Sequence, residues 1–300
     1  NVFGCALLIE RIFAEAGLPA NLFRSLIIDV PQTTRVIHNP LVAAVSITSS
    51  VAAGRAVASE AGKVLKKCVL ELGGSDAFIV LEDADIDQAV EVGIIGRFQN
   101  SGQSCIAAKR FIVVESVYEE FERKFVDKAS RLKMGDPSED GVYIGPQARV
   151  DLRDSLHDQV RRSVDAGAKL LLGGELPEGP GAFYPPSVLA GVKPGMAAWS
   201  EELFGPVATL IKVRDEQEAI EVANATEFGL GGAVWTRDLA RGERIAADQI
   251  QSGAAFVNDM SKSDPRMPFG GIRNSGYGRE LSVFGIREFV NVHAVWVNEA

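Results

Sequence analysis

The sequence predicts an α/β protein with largely parallel sheets. Short strand-like apolar runs alternate with helical periods almost throughout the chain. At 300 residues, with 46% hydrophobic and 24% charged residues, the balance is that of a globular protein with room for two domains. No internal repeat or low-complexity segment interrupts the alternation.

In chain order, residues 3–16 have a helical period that stops at Gly17-Leu18-Pro19. Residues 42–47 read as a strand and 53–66 as a helix. Two short apolar runs, 69–72 and 77–81, are separated by Gly73-Gly74. Asp85 is placed to cap the next helix. A strand at 110–114 leads into a helix over 117–132, and a second long amphipathic helix covers 149–166. Further strands are expected at 169–172, 208–213, 233–236, 254–258 and 290–297, with helices at 216–225 and 240–249. The stretches 173–186 and 259–277, rich in Gly, Pro, Ser or Asp, read as long loops, and the second is expected to carry substrate contacts.

Charge and cysteine usage narrow the function. A net charge of −9 leaves no basic footprint for nucleic acid or an anionic membrane. No apolar run reaches the ~18 residues of a spanning helix, and no signal peptide is visible. Cys5, Cys68 and Cys105 fit neither a disulfide framework nor a CxxC site, and His38, His157 and His293 lie far apart, so no metal is expected. These features describe a reduced, cytoplasmic enzyme. The chain starts at Asn1 in what already reads as a helix, and is expected to be a fragment of a longer protein.

Two residues carry chemistry. Cys105 follows Gln99-Asn100-Ser101-Gly102-Gln103-Ser104, a small, polar turn that can present a thiol to a cleft; alone, it also fits a buried cysteine acting as a small hydrophobe. Cys5 and Cys68, inside apolar periodic segments, take that second reading. Glu71 stands in an apolar strand just before two glycines, where a carboxylate needs work or a partner unless the strand end is exposed.

Together, Val69-Leu70-Glu71-Leu72-Gly73-Gly74 and the downstream Gly102-Gln103-Ser104-Cys105 resemble the paired active-site signatures of the aldehyde dehydrogenase superfamily. Glu201-Glu202-Leu203-Phe204-Gly205-Pro206-Val207 is similar to its EEIFGPV segment. Pro268-Phe269-Gly270-Gly271 and Ser275-Gly276-Tyr277-Gly278-Arg279-Glu280-Leu281 are similar to its PFGG and GREL region. The resemblance covers essentially the whole chain, and four ordered motifs make it specific. It implies the aldehyde-dehydrogenase fold: a partial Rossmann-like cofactor domain (1–73), an α/β catalytic domain (74–273), and a return segment with an oligomerisation strand (274–300) serving a homodimer or homotetramer.

It also implies roles. Cys105 would be the nucleophile and its N–H an oxyanion donor, with Glu71 as general base. NAD or NADP would lie against Ser50, Leu72, Glu202 and Phe204. The segment Thr48-Ser49-Ser50-Val51 departs from the family pattern at Ser49, usually Gly, and Val51, usually Thr. By themselves, Ser50 fits an ordinary N-cap, Glu202 a helix-end charge and Phe204 a core aromatic. The family's asparagine oxyanion donor and the residues that choose between NAD and NADP would lie before Asn1. The isolated chain is therefore expected to be inactive.

Three stretches resemble the bacterial succinate-semialdehyde dehydrogenase branch: Lys66 to Asp76, Ala107-Ala108-Lys109-Arg110-Phe111, and Ser263-Asp264-Pro265-Arg266. The implied substrate carboxylate would be held by Ser263, with Arg266, Ser261 and Phe269 nearby; Arg266 also fits a solvated arginine paired with Asp264. The rivals are a dehydrogenase for another small aldehyde, a CoA-acylating relative, against which Glu71 argues, and an inactive chain on the same fold.

Overall fold

Glu71 and Cys105 end up together because the chain passes from one sheet to another between them. The computed structural model describes residues 2–298. The order is α1 (Phe3–Glu15), α2 (Val30–His38), β1 (Ala44–Thr48), α3 (Val51–Lys63), β2 (Lys67–Glu71), β3 (Ala77–Val80), α4 (Ile86–Phe98), β4 (Arg110–Val114), α5 (Glu115–Ser130), α6 (Val150–Asp165), β5 (Lys169–Leu172), β6 (Ser187–Ala190), α7 (Ala197–Ser200), β7 (Val207–Val213), α8 (Glu216–Asn224), β8 (Gly231–Trp235), α9 (Leu239–Asp248), β9 (Ala254–Val257), β10 (Gly276–Tyr277) and α10 (Ser282–Glu288). Aspartates start several helices: Asp85, Asp215 and Asp238 each accept a bond from the N–H three residues on, satisfying a donor the helix leaves open.

A seven-stranded sheet runs β5-β6-β7-β4-β3-β8-β9, parallel except at β5–β6. Both faces are covered, so its inner strands are apolar at most positions, with Arg110, Ser187 and Thr209 as buried exceptions. Ala77, Ile79, Ile112 and Ile211 point to the side of α6, α8 and α9. Phe78, Val80, Phe111 and Leu210 point to the side of α4 and α5. There Phe111 meets Phe125 at 4.6 Å and Phe78 at 5.1 Å between ring centroids. A smaller sheet pairs β1 with β2 in parallel and β2 with β10 antiparallel, with Gly276 opposite Glu71. The passage between sheets is Leu72 to Asp76, so the expected boundary at 73/74 falls where β2 gives way to β3.

Some expectations fail. Residues 290–297 form no strand among the described residues; Val292, Val295, Trp296 and Val297 are at least 78% exposed. A strand exists only through bonds to a neighbour, and this segment has none within the chain. Cys5 is exposed rather than buried, because α1 buries none of its residues. The elements α2, β6, α7, β10 and α10 were not anticipated, although Asp29 and Gln32 form a full capping box at the start of α2, with Pro31 in its first turn. No described helix is long and apolar enough to cross a membrane.

The aromatic cluster should dominate stability. Phe111→Ala is expected to cost about 3–5 kcal/mol, whereas Asp85→Ala, a lost helix cap, is expected to cost about 1 kcal/mol. Urea midpoints of the two variants check the ranking.

Candidate active site

The passage Leu72-Gly73-Gly74 runs where a side chain has no room. A Cβ on Gly74 would stand 2.0 Å from the Cys105 carbonyl oxygen, and one on Gly73 2.5 Å from Glu202 Oε2. The Gly74 N–H donates to Glu202 Oε1 at 2.9 Å. The glycines therefore bring the strand of Glu71, the turn of Cys105 and the loop of Glu202 into backbone contact.

Cys105 follows the end of α4 through a tight turn. Asn100, Ser101 and Gly102 all have positive φ, at 51°, 55° and 70°. Gly102 faces the Gly205 carbonyl, which a Cβ would approach to 2.2 Å. Arg97, fully buried, donates to the Gly102 and Leu203 carbonyls at 2.8 and 3.3 Å, tying the turn to the Glu202 loop. Cys105 is half-buried. Burial, then the charges of Asp76, Glu202 and Glu71, push its thiol up to about 11, against a bond from the Ile106 N–H. It rests as a neutral thiol. No backbone carbonyl among the described residues takes the Cys105 N–H.

Glu71 is 2% exposed, and neither carboxylate oxygen has a hydrogen-bond partner. Burial, then the neighbouring charge of Glu280, raise it to about 7, with Arg279 opposing. Gly270 lies against Oε1, which a Cβ there would approach to 2.8 Å. Glu71 therefore titrates near neutrality, and its charge is one of three that raise the Cys105 thiol.

Glu202 is held from two sides. The buried Lys109 ammonium donates to the Glu201 and Trp199 carbonyls at 2.7 and 3.1 Å. From α6, Gln159 donates to Glu201 Oε2 and the Glu202 carbonyl, and Arg162 forks onto Glu201. Burial raises Glu202, with the Gly74 N–H, Arg97 and Lys109 opposing. Ser275, fully buried, joins the sheets by donating to the Gly73 carbonyl at 2.6 Å and accepting from the Gly229 N–H at 3.0 Å. Arg97, Lys109 and Ser275 were missed as site residues; the only mark in the sequence was Lys109-Arg110 at the start of an apolar strand.

A cleft of about 670 Å³ is lined by Ser50, Leu72, Gln103, Cys105, Glu202 and Phe204 among others. All four expected cofactor residues thus share one space with Cys105. Ser50 caps α3, accepting from the Ala53 N–H at 3.3 Å, and also lines the cleft. The expected substrate residues do not line it. Ser261 is buried beside Asp76, whose carboxyl burial raises to about 6 against the Ser261 hydroxyl, the Gly231 N–H and two arginines. Ser263 is exposed. The Arg266 side chain is 86% exposed and forks onto Asp264 at 2.6 and 2.9 Å, the solvated pairing that its sequence also allowed. Phe269 lines a second hollow of about 440 Å³ with Lys262 and Asp264.

The state of Glu71 has a measurable consequence. Its native value of about 7 lies above the ordinary 4.5, so the native state holds the extra proton between those values. Stability therefore falls as pH rises through that window, by roughly 3 kcal/mol, and stays low above it. Glu71→Gln is expected to be more stable than the parent at pH 8, with the gap closing near pH 4.5. Equal urea midpoints at pH 8 would mean that Glu71 is solvated.

Residues 2–295 match the model of the aldehyde dehydrogenase family. The chain is 49% identical over 296 residues to the succinate semialdehyde dehydrogenase Sad of Escherichia coli K12, named as using NAD(P)+, covering 99% of this chain and 64% of that protein. It is 46% identical over 300 residues to the NADP+ succinate-semialdehyde dehydrogenase of Mycobacterium avium, covering all of this chain and 63% of that one. Among solved structures, the succinic semialdehyde dehydrogenase of Streptococcus pyogenes in complex with NADP+ superposes with a TM-score of 0.95 at 40% identity, over 98% of this chain and 64% of that chain. The chain therefore spans a little under two thirds of the relatives' length. With residues of three of its motifs lining one cleft, it belongs to the aldehyde dehydrogenase family.

Proposed function

We propose that the protein carrying this chain oxidises succinate semialdehyde to succinate with NAD or NADP through a thioester on Cys105. The observation that carries the reading is the buried, unpartnered Glu71 carboxylate, whose charge acts on the half-buried Cys105 thiol. Glu71 accepts the Sγ proton while Sγ bonds to the aldehyde carbon. The Cys105 N–H is the donor for the oxyanion so formed. NAD or NADP, when bound, supplies the acceptor for the hydride that this tetrahedral carbon gives up. Glu71 releases that proton to solvent, takes a new one from water as the water oxygen attacks the thioester carbon, and passes it to Sγ as the carbon–sulfur bond breaks, so that Cys105 leaves as the thiol.

The cleft fits such a cofactor. The N-terminus of α3 behind Ser50 suits a phosphate, Glu202 a ribose hydroxyl, the Leu72 carbonyl a carboxamide, and the exposed Phe204 ring a flat heterocycle. Ser263, on the flexible-composition loop 261–266, is the candidate for the substrate carboxylate, with Arg266, Ser261 and Phe269 around it. Residues 290–297 offer an exposed segment of alternating pattern that would become a strand by pairing with a second copy in a homodimer or homotetramer. Three free cysteines accord with a cytoplasmic setting.

NAD(P)H absorbance after adding succinate semialdehyde tests the reading. Turnover without CoA is expected, and none in Cys105→Ala. Glu71→Gln should slow the first turnover and slow hydrolysis of the thioester still more, giving a slower burst of NAD(P)H and then a slow steady state. Ser263→Ala should lower kcat/KM about tenfold for succinate semialdehyde, the loss of one charge-assisted bond, and leave butanal unaffected. Full activity in Cys105→Ala overturns the mechanism, and equal losses on both substrates overturn the role of Ser263.

A further inference from the structure

The turn before Cys105 is held in a conformation its residues do not prefer. Three successive left-handed residues are unfavourable by roughly 1–2 kcal/mol for each that is not glycine. Gly102 adopts the conformation freely. Asn100 tolerates it, and its Nδ2 closes the turn on the Gln103 carbonyl at 2.9 Å. Ser101 has no such tolerance, yet sits at φ 55° with 5% of its surface exposed.

Its hydroxyl explains how. Ser101 Oγ accepts from the Gly145 N–H at 2.9 Å and lies 3.1 Å from the Gly145 carbonyl, to which it donates. One side chain thus satisfies both backbone groups of a residue far along the chain. The same segment grips the turn on either side. Gln147 Nε2 donates to the Ser101 carbonyl at 3.4 Å, the Ala148 N–H donates to Gln103 Oε1 at 2.8 Å, and Gln103 Nε2 donates to the Pro146 carbonyl at 3.3 Å.

We propose that Ser101 is a positioning residue that locks the left-handed turn onto Gly145 and so fixes where Cys105 Sγ stands. This rests on reading Cys105 as the nucleophile. With the lock closed, Sγ stays half-buried and within the field of Asp76, Glu202 and Glu71. With it open, the turn relaxes toward the right-handed region, and Sγ gains water and leaves those charges. The free thiol becomes more reactive while its placement for attack is lost.

The test follows iodoacetamide labelling of Cys105 against pH by peptide-resolved mass spectrometry, with exposed Cys5 as internal reference. Ser101→Ala removes the hydroxyl. Ser101→Gly removes it and also relieves the backbone strain, so it serves where the alanine variant folds poorly. Both are expected to label Cys105 roughly tenfold faster below its pKa, as for a pKa lowered by one, with faster hydrogen exchange at the Gly145 amide and unchanged Cys5. A parental labelling profile in Ser101→Gly overturns the proposal, because backbone conformation alone would then set the turn. Loss of folded structure in both variants also overturns it, making Ser101 a determinant of the fold. Aldehyde oxidation persisting in Cys105→Ala would sink the mechanism and leave the labelling result standing.

Discussion

A Cβ on Gly74 would overlap the carbonyl oxygen of Cys105, and the arrangement of the site follows from that contact. The chain changes sheets at Gly73-Gly74, so the joint between sheets is also the wall of the turn that carries Cys105. Backbone held against backbone is positioned more tightly than side chains can achieve, because it has no rotamers to lose. The device recurs: Gly102 lies on Gly205, and Gly270 lies on the Gly278 carbonyl and the Glu71 carboxylate. Three of the motifs thus contribute a glycine that fits against another motif, which brings Glu71, Cys105 and Glu202 together from distant parts of the chain.

Under this joint lie Arg97, Lys109 and Arg110, all buried. An uncompensated buried charge costs several kcal/mol, so their partners matter. Most of their donors go to backbone carbonyls. Arg110 bonds Ser75, Val222 and Ala223 at 2.7–2.9 Å, Lys109 bonds Trp199 and Glu201, and Arg97 bonds Gly102 and Leu203. Carbonyl oxygens at loop ends have no ladder to satisfy them. The three side chains act as cross-links among loops. Burial, then the charges of Arg110 and Arg97, push the Lys109 amine well below its usual range, while the charge of the arginines opposes the effect of burial on Asp76 and that of Arg97 does so on Glu202.

How legible this was depended on whether the information is local. Strand β4 was read to the residue because an apolar run and a following helix bound it. Glu71 and Cys105 could be singled out because a carboxylate before two glycines and a cysteine after a polar turn are local patterns, but each alone left another reading open and only the resemblance to the family paired them. Ser101 was not: a serine in the left-handed region carries no mark, and its partner Gly145 lies in another loop. Lys109 likewise reaches carbonyls some ninety residues away. Residues 290–297 alternate like a strand, but alternation cannot supply the neighbour that makes one. For residues 261–266, composition indicated donors without fixing their direction, and Asp264 takes the guanidinium of Arg266.

The electrostatics of the pair set how the thiol can act. Cys105 is pushed up to about 11 and Glu71 to about 7, so passing the proton from one to the other is uphill by roughly 5 kcal/mol. The transfer nonetheless creates no new charge in a poorly solvated site; it moves one negative charge from Oε to Sγ. The Glu71 charge that had raised the thiol disappears in the same step, which lowers the cost as the proton moves. What remains is removed only when Sγ bonds to an electrophilic carbon and the charge passes on to an oxygen facing the Cys105 N–H. A site of this kind keeps its thiol neutral at rest and reactive only toward a carbon held against it. That is why the position of Sγ, more than the acidity of the thiol, governs its chemistry.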